Sequence, residues 1–224
     1  MRARISSRGV EAALDGSAEL ERIARRLGAR APRGKGARRL PTLWLFTDPD
    51  RTPDAAAAAA RLPRGAGVVF RGFGRPDAEA RARELATAAS SRGLVLLVGL
   101  DARLAAAVGA DGVHLPERAL HLAPRLRRAR PGWIVTGAAH SAGALHRAAM
   151  AGLDAAFLSA AFPSRSPSAG RPLGPVRLAQ EVGRARLPVI ALGGVDARTA
   201  RRAAGAGVTG VAAVKALSGP AVRT

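Results

Sequence analysis

The chain contains no cysteine and no tyrosine, and its aromatic residues amount to five phenylalanines and two tryptophans. Lys35 and Lys215 are its only lysines. The missing cysteine excludes disulfide frameworks, thiolate metal sites and a cysteine nucleophile. The scarcity of aromatics removes the stacking platform on which single-stranded nucleic acid is read. That bears on the formal net charge of +20, which otherwise invites a nucleic-acid reading. The basic residues are almost all arginine and alanine is abundant beside them, as GC-rich coding produces. They spread over most helical segments, with only modest runs such as Arg125-Leu-Arg-Arg128. A basic surface that attracts anionic metabolites is therefore expected, and nucleic acid is not an expected partner. No apolar run is long enough to span a membrane, and Met1-Arg-Ala-Arg4 is not followed by the apolar stretch of a secretory signal. The expected setting is the cytoplasm, away from membranes.

What is present is a repeating alternation. Residues 1–40 stand apart from it as a basic N-terminal extension. An amphipathic helix over 12–27 would turn Leu14, Leu20, Ile23 and Leu27 inward and pad the bottom of the domain. A basic, Gly/Pro-bearing linker over 30–39, expected to be mobile, follows it. From 41 to 224 the pattern is that of one domain. Apolar strands fall at 43–47, 67–71, 94–98, 112–115, 133–136, 155–159, 189–192 and 209–214. Helical segments fall between them at 53–62, 76–91, 101–108, 117–129, 141–151, 175–184 and 197–206. Strands with no polar alternation are those of a parallel sheet covered on both faces. Eight of them alternating with helices predict an α/β fold, a (β/α)8 TIM barrel of minimal size. A doubly wound open sheet is the runner-up, but no Gly-x-Gly-x-x-Gly turn follows the first strand. Few residues remain after Val214, so the barrel should end on a short final helix or a truncated one.

The chemistry of such a barrel is built at the C-terminal ends of its strands. Those ends present Asp48, Arg71, Gly99, His114, His140, the 162–166 loop, Gly193-Gly194 and Lys215. Gly193 and Gly194 end the seventh strand and Lys215 follows the eighth, the usual place for phosphate in this fold. Two adjacent glycines expose N–H groups to an anion, although a tight βα turn needs them as well. Arg71 inside a barrel mouth calls for an anionic partner. His140, among small residues in Thr136-Gly-Ala-Ala-His140, has room for a ligand and can move protons near neutral pH. Ser164 and Ser166, flanking Arg165, could contact a phosphate or form a solvated loop. His114 reads equally as a core or a functional residue, and His121 and His146 as helix-surface residues. The strand ends offer no paired carboxylates: Asp101 and Glu117 are isolated, and Asp154 precedes its strand.

Four stretches together resemble the thiamine phosphate synthase/TenI superfamily. They are Gly109-Ala-Asp-Gly-Val-His-Leu115, the His140 turn, Gly152-Leu-Asp154 with Ala161-Phe-Pro-Ser164, and Pro188-Val-Ile-Ala-Leu-Gly-Gly-Val195. The likeness runs in order from about 43 to 217. It implies a barrel that binds a phosphorylated thiazole, with the phosphate on Gly193, Gly194 and the backbone around Val214 and Lys215. It also makes a homodimer an expected assembly. Synthases of this family join an aminopyrimidine pyrophosphate to a thiazole phosphate with the help of magnesium. Their Gln-x-Arg-x-Lys reads Val69, Arg71 and Phe73 here, so only the arginine is kept. Their Asn-Asp pair is Gly99-Leu100, and Pro116-Glu-Arg-Ala119 stands for their Gly-Gln-x-Asp. Ala138 replaces a serine, and Ser164-Arg-Ser-Pro167 replaces Thr-x-Thr-Lys. Both expected magnesium carboxylates are absent, so no cofactor is expected. TenI-like members resemble thiazole tautomerases, which use a histidine at the position of His140 and no metal. The expected activity is thus metal-free proton transfer on a thiazole phosphate, with His140 and Arg71 as the catalytic residues, His140 moving the proton and Arg71 a partner for the substrate's carboxylate or phosphate. The alternatives are a divergent synthase and a non-catalytic, regulatory binder of phosphorylated ligands.

Overall fold

A computed structural model describes residues 7–30, 39–164, 166 and 170–219. The linker expected over 30–39 falls, from 31 to 38, outside the described residues, as do Arg165 and the side chain of Leu14. Eight parallel strands close in sequence order: β1 (Leu43–Phe46), β2 (Gly67–Phe70), β3 (Val95–Gly99), β4 (Gly112–Leu115), β5 (Ile134–Ala139), β6 (Ala155–Leu158), β7 (Val189–Ala191) and β8 (Gly210–Ala213). The ring shuts where β8 pairs with β1, Val211 against Leu43 and Ala213 against Leu45. The expected (β/α)8 barrel is the fold. No described helix is long and apolar enough to cross a membrane.

Alternation along each strand divides the core in two, because successive side chains point to opposite faces. Trp44, Phe46, Val69, Leu97, Ile134, Phe157, Ile190 and Ala212 fill the barrel itself. Leu43, Leu45, Val68, Val113, Val189 and Val211 face the surrounding helices. The interior is a lattice of edge-to-face rings: Phe157 lies 5.4 Å from Trp44 and 4.8 Å from Phe46. Trp44 is so large that a Cβ on Gly67 would fall 2.1 Å from its ring. Glycine at 67 is therefore the counterpart of tryptophan at 44. His114 belongs to this lattice. It is 6% exposed, packs against Phe46 and Phe157, and its Nδ1 is 3.1 Å from Thr136 Oγ1. Of the two readings open for His114, burial in the core is the one found.

The helices follow from their caps. Asp54, Asp101, Ser141 and Asp196 each accept a backbone N–H in the first turn of α2 (Ala55–Ala60), α4 (Ala102–Ala107), α6 (Ala142–Met150) and α8 (Ala197–Gly205). Between them lie α3 (Ala78–Arg92), ended by Gly93 at φ 65°, and α7 (Gly174–Arg184). The helix expected over 117–129 is divided into a 3₁₀ turn (Glu117–Leu122) and α5 (Ala123–Ala129). Pro124 has no N–H to return to the preceding turn, so the α-helix starts afresh around it.

The N-terminal helix α1 (Ser7–Arg30) is not a pad beneath the barrel. It packs along the outer wall against β8, β1 and α8. Leu20, Ile23 and Leu27 are buried there, as their spacing predicts. Thr42 Oγ1 donates to Ala24 O at 2.8 Å and Arg201 Nε to Glu19 Oε1 at 2.7 Å. The chain leaves β8 into one hydrogen-bonded turn, with Leu217 N and Ser218 N donating to Val214 O. Ser218 is then tied to Thr52 and Arg61 at 2.8 and 2.9 Å. The apolar outer face of β8 and β1 would be wet without α1, and burying it is what fixes the helix there.

Leu20→Ala should therefore cost about 2–5 kcal/mol of stability in urea unfolding, as for other fully buried leucines. The buried imidazole of His114 adds a pH dependence. Its pKa is pulled down to about 3, by burial first and by the Arg71 charge second. Between that value and the usual 6.5 the unfolded chain takes up a proton that the native one refuses. Stability should therefore fall as the pH drops below about 6.5, by up to ~1.4 kcal/mol per unit from this residue. Unfolding curves at pH 7 and pH 5 should show this loss, and His114→Leu should reduce it.

Candidate functional site

The barrel mouth has two differently equipped arcs. The first runs over the contiguous ends of β7, β8, β1 and β2. After β7 the chain turns on Gly193 and Gly194, at φ 89° and 65°, conformations that favour glycine. The β6–α7 loop lies directly on this turn. Phe162 N donates to Gly193 O at 3.0 Å and Ala161 N to Leu192 O at 2.8 Å. A Cβ on Gly194 would fall 2.4 Å from Pro163 O. Both glycines are half-buried. Among the described residues, the N–H groups of Gly193, Gly194, Lys215 and Ala216 have no intramolecular acceptor. Val214 supplies the carbonyl that pins the neighbouring turn, and the Lys215 side chain is exposed. N–H groups without an acceptor among the described residues, on two adjacent strand ends, are donors suited to an anion. The first turn of α8 does not add to them, because Asp196 Oδ1 already accepts from Arg198 N and Thr199 N, both at 2.9 Å.

Arg71 completes this arc. Its side chain is 22% exposed, and its guanidinium carbon lies 5.4 Å from the Phe46 ring and 5.1 Å from the Phe73 ring. Nε donates to Thr47 O at 2.7 Å, while the buried Nη2 makes no hydrogen bond, facing Asp48 Oδ2 at 3.5 Å. Burial pulls the Arg71 pKa down to about 10, partly offset by Asp48, so it stays a cation at neutral pH. Asp48 is committed to its own loop, accepting from Arg51 Nη2 at 2.7 Å and from the backbone of Asp50 and Arg51. The hydrogen bond from Arg51 holds the Asp48 carboxyl below the usual aspartate range, against the opposing effect of burial. Phe73, absent from the expected site, is 67% exposed at the rim beside Arg71. Its left-handed backbone, φ 48°, gives no signal in sequence.

The second arc lies at β4 and β5. His140 follows β5 with its side chain 57% exposed. Its Nδ1 is 2.7 Å from Glu117 Oε2, and its backbone N–H donates to the same oxygen at 3.1 Å. Arg147 of α6 donates to Glu117 Oε1 at 2.6 Å. Glu117 is therefore not the isolated carboxylate that its sequence neighbourhood implies. Asp101 caps α4, and Asp154 accepts from Val135 N and pairs with Arg127, both within 2.9 Å. His140 and Arg71 stand three strands apart around the ring, on different arcs of the mouth. Ser164 Oγ accepts from Ser166 N at 3.2 Å, which shapes the β6–α7 loop.

The residues do not fit a magnesium site. Gly99 and Leu100 end β3 with no oxygen ligand on either side chain, Ala119 has none, and the neighbouring carboxylates Asp101 and Glu117 are engaged as described. Among the described residues no three His, Asp or Glu side chains converge.

Eight parallel strands closed in sequence order, each joined to the next through helix, define the (β/α)8 class. The family model described as thiamine monophosphate synthase matches residues 45–217. The chain belongs to that family, which includes the TenI-like proteins. A thiamine-phosphate synthase of Chlorobium luteolum is 30% identical over 80% of this chain and 85% of its own. A bifunctional ThiM/ThiE thiamine biosynthesis protein of Symbiobacterium thermophilum is 37% identical over 64% of this chain, a match that spans 29% of that longer protein. The thiamine phosphate pyrophosphorylase structure from Pyrococcus furiosus shares the fold, with a TM-score of 0.69 at 24% identity over 80% of this chain and 88% of that one.

Gly194→Ala should strain the turn and push the β6–α7 loop away, costing about 1–3 kcal/mol and weakening phosphate binding in calorimetry. Gly205→Ala, near the end of α8, meets nothing within 4 Å and should leave both unchanged or raise stability slightly.

Proposed function

We propose that this protein acts in thiamine biosynthesis as a TenI-like thiazole tautomerase. The phosphate of a thiazole phosphate rests on the N–H groups of Gly193, Gly194, Lys215 and Ala216, and His140 transfers the proton. One proton leaves the substrate at one atom and one is returned at another, so the product is an isomer and no co-reactant is needed. Arg71, buried and cationic, supplies positive charge on the phosphate side of the mouth rather than acting with His140. Lys215 adds an exposed cation beside these N–H groups. The observation that carries this reading is the unequal state of the mouth. The N–H groups have no acceptor among the described residues, whereas the carboxylates a synthase would use for magnesium are replaced or engaged elsewhere. Proton transfer needs an anion grip and a titratable group, and it does not need the metal.

A divergent synthase is the second reading. It is favoured by the names of the relatives, of which the Chlorobium luteolum protein is a thiamine-phosphate synthase aligned over most of its length.

The purified protein should isomerise thiazole carboxylate phosphate at the same rate with or without EDTA. His140→Ala should lower kcat by about 10²–10⁴-fold, the range of a lost general acid–base group. Unchanged turnover in His140→Ala would remove the mechanism. Magnesium-dependent formation of thiamine phosphate from the two phosphorylated precursors would establish the synthase instead.

A further inference from the structure

Glu117 is held by three donors from two elements: the His140 ring, the His140 backbone and Arg147 of α6. Its two oxygens divide the work. Oε2 takes both groups of His140, and Oε1 takes the Arg147 guanidinium, which fixes the plane of the carboxylate. A carboxylate oxygen bonded to both the main chain and the ring of one histidine restrains the rotation of that ring. Register explains the meeting, since Leu115 of β4 lies opposite Gly137 of β5, so the residues just beyond each strand end emerge side by side. Arg118 and Arg147 line the same groove, so Glu117 lies beside two guanidinium groups.

We infer that Glu117 is a positioning residue that keeps the proton of neutral His140 on Nδ1 and leaves Nε2 as the atom that exchanges a proton with substrate. An ionised carboxylate has no proton to give, so a neutral imidazole 2.7 Å away must donate from the nitrogen that faces it. The bond leaves Nε2 with its lone pair free on a side chain that is more than half exposed. Arg147 acts one step further out, through Glu117. This inference rests on the proposed tautomerase for its consequence in rate, but the tautomeric state of the ring can be measured without any substrate.

Long-range ¹H–¹⁵N NMR of the intact protein at alkaline pH reads the tautomer directly. The wild type should show His140 as the Nδ1–H form. Glu117→Gln, whose amide oxygen still accepts, should keep it. Glu117→Ala should return the ring to the Nε2–H form that a free histidine side chain prefers, with the thermal midpoint showing that the variant is folded. In the tautomerisation assay Glu117→Ala should lower kcat by about 10–100-fold with little change in KM, and Glu117→Gln should recover most of it. An Nε2–H ring in the wild type, or a ring unmoved by Glu117→Ala, would overturn the positioning role whatever the activity. The expected NMR series in a protein that turns over no thiazole phosphate would uphold the positioning of His140 and refute the tautomerase.

Discussion

The structure depends on the seam between β8 and β1. Seven other strand pairs build a curved sheet, but only this one turns it into a ring, and only in a ring do the N–H groups after β7 and β8 become neighbours of Arg71. The seam is close-packed: a Cβ on Gly210 would fall 3.0 Å from Thr42 O. It is covered from outside by a helix from the opposite end of the chain. α1 buries Leu20, Ile23 and Leu27 there, and the post-β8 turn is anchored to the β1–α2 side through Ser218. Closure and site are thus one problem, because the turn that ends the barrel also carries the Lys215 and Ala216 donors.

Around the mouth the polar groups fall into two separate arcs. The arc from β7 to β2 offers N–H groups with no acceptor among the described residues and a buried guanidinium between two phenylalanine rings, all of them suited to anions. The arc at β4 and β5 offers an imidazole oriented by a carboxylate. A single substrate that carries a phosphate at one end and a proton to be moved at the other would span the two. Where synthases of the resembled superfamily carry carboxylates and a lysine, Gly99, Leu100, Ala119 and Phe73 leave neither metal ligands nor extra positive charge.

Much of this was legible in the residues. Strands such as 94–98 and 189–192 have no polar member, which only a doubly covered parallel strand tolerates, and their number and spacing led to the barrel. The Gly193-Gly194 turn was legible too, because its position after the seventh strand has a meaning in that fold. Other features needed coordinates. The apolar stripe of α1 says that one face must be covered, but not which wall it covers. Glu117 looks isolated because its partner His140 is distant in sequence. Only the pairing of β4 with β5, in a definite register, brings the two together. His114 alternates with apolar neighbours whether it faces a ligand or the core, and the ring lattice of Phe46 and Phe157 decides for the core. Arg71 and His140 each stand at a strand end, and the order of strands around the ring places them on different arcs.

The central claim is that the β7–β8 end of the mouth holds the phosphate of the substrate. A crystal structure of the protein soaked with thiazole phosphate tests it most directly. The account predicts density for the phosphate within hydrogen-bonding distance of the N–H groups of Gly193, Gly194, Lys215 and Ala216, with the thiazole ring reaching toward His140. Phosphate bound elsewhere, with those four donors left to water, would contradict it.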